Sequence, residues 1–220
     1  MKTRPAEIEN GSMTIIRAEL SARGIALPPE NAAVILRCIH ASADFDYAQT
    51  LRFTPGAVEA AVEALKRGAA IVTDTNMALA GVSRPGLQKL GGAAYCFMAD
   101  ERVAEAARAQ GSTRAVAAVD RAAAECPNAI LAVGNAPTAL FRIAEKIEAG
   151  LRPSLVIGVP VGFVNVVESK ERVLETCEKH GVPAIVALGR KGGSSIAAAV
   201  CNALIYTASD MLDPKERGWQ

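Results

Sequence analysis

Only two histidines occur in the 220 residues of this chain, and the first stands where proton chemistry is feasible. His40 closes the apolar run AAVILRCI and precedes Ala41-Ser42-Ala43-Asp44-Phe45-Asp46-Tyr47. An imidazole at a helix end, with two carboxylates nearby, titrates close to neutral pH and can exchange a proton in a reaction. A structural or capping histidine is the competing reading, and position alone does not separate the two. His180, in EKHGVP, suits a helix C-terminus through the helix dipole and calls for no chemistry.

The next candidates are turns. Three stretches run from an apolar segment through glycine into an alanine-rich or helical pattern: Ala129–Thr138, Leu155–Lys170 and Ala184–Ala197. Such turns place backbone N–H groups at the carboxyl end of a parallel sheet, where α/β proteins bind ligands. Together they imply a donor-lined crevice suited to an anionic ligand. In Gly189-Arg190-Lys191-Gly192-Gly193-Ser194-Ser195, two cations and the glycines lead into a helix start, which favours negative charge. The phosphate-loop pattern needs lysine directly before the hydroxyl residue. Gly193 occupies that place, so a nucleoside triphosphatase fails on spacing.

The remaining constellations are weaker. Gly158-Val-Pro-Val-Gly162-Phe163 does not match G-x-G-x-x-G, which leaves a dinucleotide unsupported. Glu168-Ser169-Lys170 reads as a helix cap. Gly134-Asn135-Ala136-Pro137-Thr138 offers a turn, an amide and a hydroxyl, or is simply a strand-to-helix connection. Arg114, after Gly111-Ser112-Thr113, is placed to clamp a carboxylate bidentately or is a surface arginine. Asp74 ends a strand in VTDTNM and holds either a loop or a polar substrate group. No nucleophile elbow, metal cluster or cofactor lysine emerges.

These residues require a scaffold of alternating elements. Ala69–Thr73, Ala93–Met98, Ala129–Val133, Leu155–Val159 and Ala184–Leu188 read as five short buried strands. Helical patterns fall at about Asn76–Val82, Glu101–Ala109, Arg114–Glu125, Ala136–Ala149, Ser169–Lys179 and Ser194–Tyr206. The alternation argues for an α/β domain with a five-stranded parallel sheet covered on both faces, a three-layer arrangement. Ahead of it, Met1–Gly11 reads as a polar lead-in and Ser12 as the N-cap of a helix over Met13–Leu20. A second helix is expected over Pro29–His40. A third is expected from the Thr54-Pro55 cap to the Gly68 stop. The expected organisation is one domain over residues 1–220. Residues 1–53 form an N-terminal helical extension, residues 54–208 the α/β core, and residues 209–220 a polar tail that ends the ordered structure.

Composition narrows the partners. Half the residues are hydrophobic and 4 % are aromatic, so alanine-rich helices must pack closely on the sheet. A net charge of +1 gives no global field for nucleic acid. The five cysteines are scattered singly and odd in number, which points to reduced thiols, a cytoplasmic location and no structural zinc. No apolar run approaches the roughly 18 residues of a membrane span.

Taken together, RCIHASADFDYA, GSTRAVAA, VGNAPTALF, GVPVGFVNVVESKE and GRKGGSSIAAA resemble the precorrin-8X methylmutase family, also called cobalt-precorrin-8 methylmutase, along nearly the whole chain. The resemblance implies a flavodoxin-like isomerase of cobalamin biosynthesis that works as a homodimer, with ligand clefts near the subunit interface. It implies a tetrapyrrole-derived polycarboxylate substrate, in which a methyl group moves from C-11 to C-12. The product would be hydrogenobyrinate, or cobyrinate when cobalt is already in the ring. The protein itself would carry no cofactor. The family's proton donor and acceptor falls on His40, and its substrate contacts fall on Ser12 and Arg114. Arg190, Lys191, Gly192 and Gly193 are the further candidates for holding the acidic arms. The roles of Asp44, Asp46 and Asp74 stay open. A non-catalytic corrinoid carrier using the same crevice is the alternative.

Overall fold

The computed structural model describes residues 4–219. The chain begins with α1 (Pro5–Ala22), α2 (Ala32–Ser42), a single-turn α3 (Tyr47–Thr50) and β1 (Leu51–Phe53). Then come α4 (Ala57–Lys66), β2 (Ile71–Thr73), α5 (Asn76–Gly81), α6 (Arg84–Lys89), β3 (Ala94–Tyr95), α7 (Glu101–Ala109) and α8 (Arg114–Glu125). The remainder is β4 (Ile130–Val133), α9 (Pro137–Glu148), β5 (Leu155–Gly158), α10 (Val166–His180), β6 (Ala184–Ala187), α11 (Ser194–Ala208) and a 3-10 turn at Pro214–Arg217.

The sheet has six strands in the order β1-β6-β5-β4-β2-β3, one more than the sequence suggested. All neighbours are parallel except β1, which pairs antiparallel with β6 through Leu51↔Ala187 and Phe53↔Ile185. Side chains alternate between the two faces, as period-two geometry requires. Ile71, Ile130, Ala132, Leu155, Ile157 and Ile185 face a core shared with α2, α4 and α11. Val72, Leu131, Val133, Val156 and Val186 face α8, α9 and α10.

Central to the first face is α11, whose Ile196, Ala197, Val200, Cys201, Leu204 and Ile205 are all buried. It packs against α2, α4, α5 and both β4 and β5. Such closeness needs small neighbours. A Cβ on Gly81 would sit 2.7 Å from the Ala198 Cβ, and one on Gly86 would sit 2.4 Å from the Ile205 Cγ2.

Several local expectations give way to specific contacts. Ser12 caps nothing: α1 already starts at Pro5, and the Ser12 Oγ donates to the Ile8 carbonyl within the helix at 2.9 Å. Thr54 does not cap α4 either. Its Oγ1 accepts from the Ala184 N–H at 2.9 Å and its own N–H donates to the Ala184 carbonyl, which prolongs the β1–β6 ladder. Strand β3 shrinks to two residues because it is an edge strand held by β2 alone. Beyond it, Phe97 and Met98 turn away to pack on the small core between α7 and α8.

The C-terminal segment also continues the order rather than ending it. Arg217, whose side chain is only 5 % exposed, bonds the Glu9 carboxylate at 2.6 Å, and Arg37 bonds the same oxygen at 2.9 Å. Burial opposes the charge on Glu9, but the two guanidinium hydrogen bonds prevail and hold its carboxyl below the usual value. Both arginines lie over the Tyr206 ring. The tail thereby ties α1 to α2 beside His40.

Candidate active site

His40 occupies the last turn of α2, whose buried stripe of Val34, Ile35, Leu36, Cys38 and Ile39 fixes the helix in the core. The helix stops at Ala43, which takes a left-handed conformation (φ 55°) and donates its N–H to the Ile39 carbonyl at 2.7 Å. His40 is half-buried. Among the described residues no protein group hydrogen-bonds its ring, and neither ring nitrogen is a buried orphan. Burial lowers its pKa, and Arg37, one turn earlier, lowers it further; Glu9 partly offsets this and Arg217 adds to it. The imidazole is therefore mostly neutral near pH 7 and reachable from outside.

The segment after His40 is anchored to the glycine loop between β6 and α11. Lys191 Nζ contacts both Asp44 Oδ2 and Asp46 Oδ2 at 2.6 Å. The Asp44 Oδ1 accepts from the Asp46 N–H at 3.0 Å, which folds the segment into a compact turn. The Lys191 hydrogen bond, opposed by slight burial, holds the Asp44 carboxyl below its usual value. Among the described residues, neither aspartate hydrogen-bonds or ion-pairs with His40. Their observed task is to fix Lys191, so Lys191 is a tie rather than the free cation its position in the sequence suggested. Because β1 is antiparallel to β6, Thr50 and the segment before it lie at the carboxyl end of β6, and the Leu188 N–H donates to the Thr50 carbonyl at 2.9 Å. His40 and the glycine loop thus share one edge of the sheet.

The loop itself is knitted to its neighbours. A Cβ on Gly192 would lie 2.1 Å from the Val159 carbonyl oxygen, so only glycine fits there. Gly193 N–H donates to that oxygen at 2.8 Å, and Gly162 N–H donates to the Arg190 carbonyl at 3.2 Å. The Arg190 guanidinium lies 5.5 Å from the ring of Phe163, which is 83 % exposed.

The turn after β4 differs from the sequence picture. Asp74, 8 % exposed, accepts from the N–H groups of Gly134, Asn135 and Ala136, each at 2.8 Å. Burial pushes its carboxyl up while these three donors pull it down. The donors expected to line a ligand crevice at this turn are therefore satisfied by the protein's own carboxylate. Arg114 stands at the start of α8, exposed, behind the Thr113 cap that accepts from the Val116 N–H at 3.2 Å. Thr113 Oγ1 also meets Thr138 Oγ1 of α9 at 3.2 Å. Arg114 thus belongs to the β4 end of the same edge. It rises from the α8–α10 layer, on the face of the sheet opposite the layer of α2, α4 and α11 that carries His40. Ser12 lies one turn along α1 from Glu9.

A cationic, donor-rich edge with an accessible neutral imidazole fits proton exchange on a broad acidic ligand. The family model of precorrin-8X methylmutase matches residues 7–207. The chain belongs to that family. The cobalt-precorrin-8 methylmutase of Salmonella typhimurium is 45 % identical over 207 residues, covering 92 % of this chain and 95 % of the relative. That of Leptospira interrogans is 42 % identical, covering 92 % and 93 %. The solved precorrin-8X methylmutase of Thermus thermophilus superposes with a TM-score of 0.82 at 41 % identity, covering 92 % of this chain and 98 % of the other.

Two residues of this methylmutase edge carry no motif that marks them in the sequence. Phe163 lies inside a stretch that fails the dinucleotide pattern, and nothing in its spacing marks it. Lys170 sits in a stretch whose sequence suggests a cap, yet Asn165 holds the N-cap position and Lys170 is 0 % exposed. A signal existed for it. Val166, Ser169, Lys170, Val173 and Cys177 form the buried stripe of α10, and a lysine on such a stripe is out of place.

Proposed function

We propose that this methylmutase moves one methyl group from C-11 to C-12 of precorrin-8X or cobalt-precorrin-8, giving hydrogenobyrinate or cobyrinate in cobalamin biosynthesis. The observation that carries the assignment of roles is the half-buried imidazole of His40, with no protein partner among the described residues, on the edge it shares with the glycine loop. A sigmatropic shift needs no nucleophile. It needs the π electrons of the macrocycle redistributed, which proton donation by His40 accomplishes. Arg114, Arg190 and the loop amide of Gly192 hold the carboxylate arms, Ser12 supplies a further contact, and Lys191 keeps the loop in place; Gly193, whose N–H is taken by the Val159 carbonyl, shapes the loop instead of donating to an arm. The cobalt form is the preferred substrate, and the cobalt belongs to the substrate rather than to the protein.

The whole chain acts as one domain of three-layer, flavodoxin-like type. The order of its five parallel strands, numbered among themselves along the chain, is 2-1-3-4-5, which supports this reading. A second copy closes the site. Ile15, 61 % exposed, and Ile8 lie on the same face of α1 as Ser12, and Phe163 and Val164 project beside Arg190. Such a solvent-exposed apolar set supports a homodimer. Free thiols at all five cysteines, and helices too short or too polar to span a membrane among the described residues, support a cytoplasmic setting.

Single-turnover conversion tests the reaction. Incubated in excess with precorrin-8X or its cobalt form, the protein should change the spectrum of bound substrate to that of product. The cobalt form should react faster by about tenfold, a barrier difference of about 1.4 kcal/mol. A carrier would shift the spectrum of each pigment without converting it. Arg114→Ala and Arg190→Ala should each remove a charge-assisted contact of about 1.5–3 kcal/mol. Affinity should then fall roughly 10- to 100-fold, with a shallower salt dependence. Unchanged affinity and salt sensitivity in both variants would remove the arginine clamp.

A further inference from the structure

Lys170 is the one lysine buried to 0 % exposure among the described residues, and none of their carboxylates reaches its ammonium. Its Nζ donates instead to two carbonyls of the β6–α11 loop, those of Gly189 and Lys191, each at 2.8 Å. Removal from water disfavours the charge and lowers this ammonium to about 8. An apolar residue of similar length would complete the α10 stripe without that cost. The position calls for another explanation.

Peptide geometry supplies it. In a trans peptide the carbonyl and the following N–H point in opposite directions. Carbonyls of Gly189 and Lys191 drawn inward to Lys170 therefore turn the N–H groups of Arg190 and Gly192 outward. Among the described residues, no backbone or side-chain group accepts from either of these N–H groups. The lysine of the loop is already matched, whereas its arginine is not paired with a carboxylate among the described residues. Lys191 is matched by Asp44 and Asp46, and Arg190 lies over Phe163.

We propose that Lys170 is a positioning residue for substrate: from beneath the loop it fixes two outward-facing amides that receive a carboxylate arm, and that arm provides the counter-charge the protein lacks. The proposal rests on the reading that the acidic arms lie on this loop. It does not place Lys170 in contact with substrate. The ammonium acts through the peptides it orients, and its own charge is felt across them in a region poorly screened by water.

Lys170→Met removes donors and charge at similar volume, and Lys170→Gln restores an amide donor without the charge. With the cobalt form as substrate, KM should rise about 10- to 100-fold in the methionine variant, while kcat changes little, since the lost interaction is made in ground and transition states alike. The glutamine variant should recover part of that loss. A residue needed only for folding would lower active protein and leave the KM of the folded fraction unaltered. In the unaltered protein, amide exchange at Arg190 and Gly192 should slow when cobyrinate is added, whatever the variants do. If folded Lys170→Met keeps its KM while Arg190→Ala raises it, or if neither amide is protected by product, the positioning role is overturned. If Arg114→Ala, Arg190→Ala and Lys170→Met all keep their KM, the placement of the arms on the loop fails instead.

Discussion

Turnover by the His40→Asn variant is expected to fall by about 10²- to 10⁴-fold, the usual contribution of a positioned acid–base group, while pigment affinity stays nearly unchanged. Asparagine keeps a hydrogen-bond donor but cannot deliver a proton. The pH dependence sharpens the test. Burial and the Arg37 charge hold the free imidazole below its ordinary value of about 6.5. If the protonated ring is the donor, kcat/KM of the free protein should rise as pH falls through that lowered value. A bound polycarboxylate adds negative charge near the ring and favours the imidazolium. The corresponding limb in kcat should therefore lie at higher pH than the limb in kcat/KM. Both limbs should vanish in His40→Asn. Normal turnover in His40→Asn and His40→Ala, followed by the visible spectrum, would take the imidazole out of the mechanism and leave its accessibility without a role.

The limb of the free protein depends on residues outside the glycine loop. Arg37, Glu9 and Arg217 come from α2, α1 and the C-terminal turn, and they set the charge around His40. No pattern in the sequence joins Glu9 to Arg217, which are 208 residues apart. The fully buried strands were legible because continuous runs such as AILAV and LVIGV have few alternative environments. Strand β1 was not, since LRF is too short to show alternation and carries an exposed Arg52. Caps were misplaced where a hydroxyl found a better partner, as Thr54 did in the Ala184 N–H. Among the site residues, His40 and the glycine loop were visible by type and spacing. Lys170 and Asp74 take their meaning from backbone groups that periodicity does not connect to them.

Asp74→Ala is expected to be the most destabilising single change at this edge. The carboxylate serves three N–H groups in the turn after β4, and alanine leaves all three without an acceptor. Gly134 is buried, whereas Asn135 is exposed and Ala136 is half-exposed. Water can therefore replace part of the loss. Unmet buried donors cost about 1–3 kcal/mol each, so a total of roughly 2–5 kcal/mol is expected. For a domain of this size that lowers the thermal midpoint by about 5–15 °C. Asparagine should fall between, because its oxygen can retain Asn135 and Ala136 on the Oδ2 side while its NH2 confronts the Gly134 N–H. The damage should reach the site as well. A Cβ at Gly134 would lie 2.9 Å from the Gly193 carbonyl, and Thr75 Oγ1 meets Ser194 Oγ at 2.8 Å, so this turn buttresses the start of α11. Folded Asp74→Ala protein should therefore bind pigment more weakly, in addition to melting earlier. A thermal midpoint within about 2 °C of the unaltered protein, equivalent to less than 1 kcal/mol, would mean that the turn does not depend on this carboxylate.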